Sequence, residues 1–342
     1  MKRFRWLFFM TIIFLTGCGQ NIPIENLAIT LILGIDLDEN NEFIFAELSP
    51  MFNEDEKKNV DTYVVKARSI RDSRKYFDAL ETGNVTAAKV QILLIGKKIL
   101  EQKHWYRILD TIYRNPNFSL NSNVVMVDGD IRDIILYDSE EKSRLALHLK
   151  EVIENNVHRT STINSTLITF HRALYGKEQT AMLPRIYKDK NLIIEGTALL
   201  DQNGKYVGDL SIQQTSLLLI LRNEKNKELT LSLPLTSLKK DDGIFSENEI
   251  SMEVFRAKRK IKSTYENGKF HFDIDIKLTG NIVEHLFPLD GISQKDLEKA
   301  IEKQLQLEFQ QLIDKIQQNQ IDPIGLGIYA RAFHYDQYKK SE

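Results

Sequence analysis

Apolar and polar residues recur along this chain with two periods, one suited to strands and one to helices. Asn26 to Leu37 holds the long apolar run Leu27-Ala28-Ile29-Thr30-Leu31-Ile32-Leu33, with Gly34 near its end. Its length and β-branched content predict one buried strand. Asp38-Glu39-Asn40-Asn41 is a turn cluster and Glu42 to Leu48 resumes the run, which together predict a hairpin ended by Pro50. Asn53 to Asn59 is charged and reads as a loop, and Asp61 to Ala67 as a further strand. At Ser69 the period lengthens, and Ile70, Tyr76, Phe77 and Leu80 fall roughly on one helix face. Val90 to Ile95 is a fully apolar strand ending in Gly96. Lys98 to Arg114 predicts an amphipathic helix with Ile108, Leu109, Ile112 and Tyr113 inward, stopped by Pro116. Val124 to Val127 is a short strand, and Asp128-Gly129-Asp130 turns into a helix through Ile134 and Ile135. Glu141 to Asn155 and Ser161 to Leu174 predict two more helices, the second capped by Ser161 or Thr162. This order describes a mixed sheet with helices packed on it.

Leu183-Pro184-Arg185-Ile186 and the charged run Tyr187-Lys188-Asp189-Lys190-Asn191 interrupt the pattern and mark a domain boundary. Leu192 to Leu200 is a strand, Asp201-Gln202-Asn203-Gly204 a turn, and Tyr206-Val207-Gly208 resumes. Ser211 to Leu221 predicts a helix with a strongly apolar end, and Lys227 to Pro234 is extended. Ile250 to Tyr265 and Phe270 to Leu278 flank Asn267-Gly268, the strongest short hairpin signal. Phe270, Phe272, Ile274, Ile276 and Leu278 alternate with His271, Asp273, Asp275 and Lys277. The facing arm carries Arg256, Lys258, Arg259, Lys260 and Lys262, read as a charged outer face whose charges pair across the strands. Ser293 to Gln318 is a long helix with Asp296 completing a capping-box-like start. Its stripe of Leu297, Ile301, Leu305, Phe309, Leu312 and Ile316 needs a cover, and the hairpin is the nearest candidate. The predicted fold is therefore α+β and multi-domain: mixed β-sheets with packed helices, and a C-terminal β-hairpin or sheet covered by a long helix. The predicted divisions are a leader at 1–17, a tether at 18–24, an N-terminal α+β region at 25–187 that allows a subdivision near 115–140, and a C-terminal α+β domain at 192–338.

The first residues fit neither period. Lys2, Arg3 and Arg5 precede an apolar segment from Trp6 to Thr16, shorter than the roughly 20 residues a spanning helix needs. Basic start, short apolar core and small residues describe a secretory signal peptide. The segment ends in Leu15-Thr16-Gly17-Cys18, and Cys18 is the only cysteine. A thiolate is a nucleophile, so this arrangement reads as a lipoprotein cleavage and lipidation site. Cys18 would carry an S-diacylglycerol and an N-acyl (palmitate) chain. One acyl chain holds a protein to a bilayer only marginally, whereas two anchor it stably. No later stretch offers 18 consecutive apolar residues, so lipid is the only anchor in the sequence.

Composition narrows the remaining classes. The 342 residues carry 46 basic and 48 acidic side chains; without Lys2, Arg3 and Arg5 the balance is 43 to 48, a net charge of −5. That balance does not point to a nucleic-acid binder. With Cys18 acylated no disulfide is possible, so the exported body rests on core packing. Asp36, Asp38, Asn40 and Glu47 match positions 1, 3, 5 and 12 of a calcium loop, with Asn41 at the sixth, but the flanks read as strands and the segment as a solvated turn. None of the seven histidines (His104, His148, His158, His171, His271, His285 and His334) has metal-ligand spacing, and His271 with Asp273 and Asp275 reads as a solvated strand face. No nucleophile elbow, P-loop or Rossmann fingerprint occurs. No catalytic residue, cofactor or metal is expected.

Several fragments taken in order resemble the Ger(x)C (GerAC-like) family, the lipoprotein C subunits of spore germinant receptors in Bacillus-type bacteria. They are Leu27-Ala28-Ile29 leading to Gly34-Ile35-Asp36, Ala67-Arg68-Ser69-Ile70, and Val90-Gln91-Ile92-Leu93-Leu94-Ile95-Gly96. Leu183-Pro184-Arg185-Ile186, Gly196-Thr197-Ala198, Gly204-Lys205-Tyr206-Val207-Gly208 and Asp322-Pro323-Ile324-Gly325-Leu326-Gly327 continue the series. The family commonly shows Trp-Asp-Arg directly after the cysteine, where this chain has Gly19-Gln20-Asn21. The resemblance implies a non-enzymatic, multi-domain α+β subunit on the outer face of the spore inner membrane or cell membrane, acting with membrane-embedded A and B subunits. Only the lipidated cysteine carries over, onto Cys18. The competing reading is a solute-binding lipoprotein of an importer, which would need two similar α/β lobes. A lipoprotein hydrolase is disfavoured by the missing nucleophile motifs.

Overall fold

The computed structural model describes residues 27–50, 60–81, 83–137, 145–224, 228–235, 249–289 and 291–341. The leader, the tether, Cys18 and the charged stretch 53–59 lie outside the described residues. Among the described residues no helix is long and apolar enough to cross a membrane.

Eight strands form the central sheet: β2 (Ile32–Leu37), β3 (Phe43–Pro50), β4 (Val60–Lys66), β6 (Ile92–Gly96), β7 (Asn123–Val127), β8 (Met182–Lys188), β9 (Leu192–Leu200) and β10 (Tyr206–Leu210). Their order is β10-β9-β8-β7-β6-β2-β3-β4. The four middle strands β8, β7, β6 and β2 are parallel, and the outer pairs are antiparallel. Strands buried on both faces read as continuous apolar runs, and Ile92-Leu93-Leu94-Ile95 is one. Leu93 and Ile95 face one core and Ile92 and Leu94 the other. The first face is covered by α1 (Ile70–Leu80), the short α2 (Lys97–Leu100), a 3₁₀ turn at Trp105–Leu109, α3 (Asp110–Tyr113) and α6 (Leu167–Tyr175). The second is covered by α4 (Ile131–Ile135) and α5 (Leu145–His158).

The C-terminal part is built on a second sheet, β11 (Thr230–Pro234), β12 (Glu249–Glu266) and β13 (Lys269–His285), all antiparallel. The β12–β13 turn places Asn267 at φ 51° and Gly268 at φ 77°, the left-handed pair a tight hairpin needs. Helices α7 (Ile212–Arg222) and α8 (Gln294–Gln318) close a third core with the inner hairpin residues Ile274, Ile276 and Leu278. The stripe of the long helix belongs to this core: Leu312 is fully buried, and Ile301, Leu305 and Phe309 pack against it. α9 (Leu326–Phe333) and α10 (Tyr335–Ser341) end the described chain. The mixed α+β architecture is as the sequence predicts. Two similar lobes, which an importer's solute-binding protein would need, are not what these two dissimilar sheets form.

Five local expectations need correction. The run from Asn26 is two strands: β1 (Leu27–Ile29) pairs with β5 (Asn84–Thr86) in a separate small sheet, and the chain changes sheets at Thr30-Leu31. Lys98 to Arg114 is not one helix. His104 adopts φ 58°, and Trp105 turns inward to donate its indole N–H to the Gly204 carbonyl at 2.6 Å. The helix predicted from Ser161 starts at Leu167 and is capped by Thr166; the Thr162 hydroxyl instead donates to the Gly196 carbonyl at 2.7 Å. Leu183-Pro184-Arg185-Ile186 does not break the pattern but forms β8. Pro184 sits at a register shift against β9, where a missing N–H is tolerated. Arg259 is not on the outer hairpin face: it donates to the Leu221 carbonyl at the end of α7 and, at 2.5 Å, to the Tyr329 hydroxyl. Of the outer-face charges Lys260 lies opposite Asp275 and Lys262 opposite Asp273, but Lys258 lies opposite Lys277 and Arg256 opposite Thr279, so opposite charges face each other only toward the turn.

Candidate functional site at the strand ends

Ligand sites of open α/β sheets gather beyond the carboxyl ends of parallel strands. Here those ends carry charge. Lys97, the first residue after β6, meets Asp128, the first after β7, at 3.1 Å. Asp128 also accepts from Arg185 of β8 at 2.9 Å, and Arg185 lies 3.9 Å from Asp209 of β10. The Tyr206 hydroxyl donates to Asp209 at 2.6 Å, and the Lys97 ammonium sits 4.9 Å from the Tyr206 ring centre. Burial opposes the charge of Asp128, yet Lys97 and Arg185 beside it hold its carboxyl below the ordinary range. The network spans β6 to β10 and joins chain before residue 188 to chain after 195. Its two cations face two carboxylates, which suits a fastening, although Asp209 Oδ1 is buried without a hydrogen-bond partner among the described residues.

Asp36 lies next to this network in a different state. It is 1% exposed, accepts from the Leu37 N–H at 2.8 Å, and has no ion-pair partner among the described residues. Burial pushes its pKa up to about 6, against the backbone N–H groups of Leu37 and Ile131. Gly96 is pressed against it: a Cβ there would stand 1.9 Å from Asp36 Oδ1. On β3, Glu47 is 2% exposed and is held by the hydroxyls of Thr30 and Ser49, its pKa raised by burial. Glu81 is raised to about 7, first by burial and then by Glu47 and Asp61. The calcium-loop residues are therefore dispersed. Asp36 and Glu47 are buried separately, and Asp38 pairs with Lys66 at 2.5 Å.

The turn Asp322-Pro323-Ile324-Gly325-Leu326-Gly327 is a latch. Asp322 accepts from the N–H groups of Gly325 at 2.8 Å and Gly327 at 2.7 Å, and its carbonyl accepts from Thr180 N–H at 2.9 Å. Arg222 at the end of α7 donates to the Pro323 carbonyl. Sequence reading found these fragments but not what joins them, because their contacts are separated by up to about 140 positions in the chain. The histidines are scattered: His285 is bonded to the Phe287 carbonyl, His334 to the Ser263 carbonyl, and His171 lies between Tyr113, which it meets edge to face, and Tyr175, which it meets tilted. His271, Asp273 and Asp275 stay on the exposed hairpin face. No group of three potential metal ligands occurs among the described residues. Large apolar side chains reach solvent on the last two helices, Ile328 at 48%, Phe333 at 69% and Tyr335 at 55%.

Residues 20–188 match the family model described as the spore germination protein N-terminal domain. Residues 195–342 match the model described as spore germination B3/GerAC like, C-terminal. Spore germination protein B3 of Bacillus subtilis (strain 168) is 23% identical over 99% of this chain and 91% of its own length. Spore germination protein A3 of the same organism is 22% identical over 82% of this chain and 74% of its own. Spore germination protein GerQC of Bacillus cereus is 20% identical over 94% and 88%. The crystal structure of the GerBC protein superposes with a TM-score of 0.55 at 19% identity, covering 90% of this chain and 89% of that one, and shares the fold. Two consecutive family models thus account for nearly all of the sequence from residue 20, and the chain belongs to the GerAC-like family of spore germination proteins.

Proposed function

We propose that this chain is the lipid-anchored accessory subunit of a nutrient germinant receptor, needed for spore germination. It acts through protein–protein contacts with the membrane-embedded A and B subunits, on the outer face of the spore inner membrane. The observation that carries the reading is the pair of family models lying in order directly behind Leu15-Thr16-Gly17-Cys18. Acylated Cys18 would hold the body within a thin layer above the bilayer. Confinement raises effective concentration, so weak contacts suffice. The exposed apolar residues of α9 and α10 are suitable contact material.

The test is Cys18→Ala in the native sporulating host. The variant is expected to leave the membrane fraction and to germinate slowly or not at all with nutrient. Normal membrane association together with normal germination would overturn the proposal.

A further inference from the structure

The two edges of the β12–β13 ribbon are in different states. The β12 edge is occupied: β11 pairs with it from Glu249 to Glu253, and further along the His334 ring bonds to the Ser263 carbonyl at 2.9 Å. β13 is paired with β12 alone, and its other edge has no backbone hydrogen bond among the described residues. Ser263 tells which groups point off that edge. Its carbonyl is turned to His334, so Ser263 and Phe272 opposite it form a non-hydrogen-bonded pair. Such pairs alternate with bonded ones along an antiparallel ladder. The N–H and C=O groups of Phe272, Ile274, Ile276 and Leu278 therefore point away from β12. The register shifts of the ladder lie beyond this stretch, between Ser251 and Met252 and between Val254 and Arg256. No proline interrupts it, and its inward positions are all apolar. A strand edge left open in this way is a template for another strand.

Charge selects the strand that fits. On the exposed face Lys277 has a like charge, Lys258, opposite it within the chain, and neither Lys277 nor Asp275 has an ion-pair partner among the described residues. We propose that the β13 edge pairs antiparallel with β13 of a second copy of this chain, about a two-fold axis at Ile276. In that register Asp275 of each copy lies opposite Lys277 of the other, Asp273 lies opposite Thr279, and no like charges meet. On the inward face Ile276 meets its own copy and Ile274 meets Leu278. Neighbouring registers fail. An axis at Asp275 or at Lys277 sets that residue against itself, and one at Ile274 sets Asp273 against Asp275. Like charges directly opposite destabilise a sheet, and opposite charges stabilise it. An axis at Phe272 also avoids like charges but overlaps only residues 269–275. The union is isologous and closes at two chains, because the other edge of each ribbon is already covered. Two three-stranded sheets become one continuous sheet. The inference stands on the strand edge, not on the receptor reading, and is measured without the host.

The experiment is sedimentation velocity of the full chain in detergent over a range of concentrations. A concentration-dependent dimer is expected, with no larger species. Asp275→Lys and Lys277→Asp each set two like-charge pairs across the axis, and each is expected to weaken dimerisation at least about tenfold. An equimolar mixture of the two variants restores both opposite-charge pairs in the mixed dimer and is expected to associate like the parent chain. The double variant Asp275→Lys with Lys277→Asp is expected to do the same. Both positions are exposed, and circular dichroism checks that each variant keeps its fold. If one single variant fails to fold, the other and the double variant decide. The proposal is overturned by a chain that stays monomeric, or by a mixture or double variant that associates no better than the single variants. Dimers that resist both single substitutions also overturn it, since they place the contact elsewhere or in a shared micelle.

Discussion

Gly96 and Asp36 show how tightly single positions are set. The Cβ added by Gly96→Ala would meet Asp36 Oδ1 at 1.9 Å and Cγ at 2.0 Å, and both atoms belong to a short buried side chain with no room to swing away. Overpacking of this kind costs about 1–3 kcal/mol, so the variant is expected to lose that much in urea unfolding while a surface substitution such as Glu101→Ala loses little. Asp36 also sets a pH dependence. Its pKa is about 6 in the fold against 3.8 as an ordinary aspartate, so between those values the folded state binds more protons than the unfolded one. Stability therefore falls as pH rises from about 4 through 6, by at most about 3 kcal/mol at 1.36 kcal/mol per unit. Asp36→Asn keeps a carbonyl acceptor for Leu37 N–H and removes the charge. The difference between variant and parent in unfolding free energy is expected to change over that window and to be flat above pH 7. An unchanged difference from pH 4 to 8 would mean that Asp36 is not the titrating group. The sequence placed Asp36 in a turn motif. Its burial was illegible there, because burial depends on Gly96, some 60 positions away in the chain.

Elements were legible where one local signal decides them, and illegible where tertiary contacts override it. Asn267-Gly268 fixed the long hairpin because its turn requires positive φ at both residues. Ser69, Ser211 and Ser293 were each in place to cap α1, α7 and α8, and each does. The helical period across Lys98 to Arg114 was real in its inward residues: Leu109 and Ile112 are buried. It failed as one helix because Trp105 is drawn to Gly204 in the turn between β9 and β10, about 100 positions away in the chain. Ser161 and Thr162 looked like caps, but a hydroxyl can cap or bond elsewhere, and Thr162 is spent on Gly196. The α6 cap is Thr166, in a reciprocal capping box with Thr169. Thr166→Ala is expected to cost about 1–2 kcal/mol, and Ser161→Ala to stay within about 0.5 kcal/mol. Chemical denaturation of both variants checks the pair, and equal losses would mean that the helix begins earlier than Leu167.

At the scale of the whole molecule, β9 decides how the parts depend on each other. Its residues alternate between cores: Ala198 and Leu200 belong to the core under α6, and Leu199 to the core under α7. The chain charge break at 187–191 drew attention to a boundary, and the two family models meet in the same stretch. The central sheet nonetheless runs from β8 through β9 to β10 across it. A strand with one face in each core makes it hard to lose one core and keep the other. The Lys97–Asp128–Arg185–Asp209 network and the Asp322 latch tie the same two parts at separate points. Trp105 is the only tryptophan after Trp6, and its bond to Gly204 places it at this joint. A chain beginning at residue 19 can therefore be followed by Trp105 fluorescence, which senses the joint, and by far-ultraviolet circular dichroism, which sums helices from both parts. Their urea transitions are expected to coincide. Leu199→Ala should move both midpoints down together, by about 2–5 kcal/mol for a buried leucine. If dichroism is lost in two steps and only one of them moves Trp105, the two parts unfold independently and β9 is not the shared wall its alternation makes it.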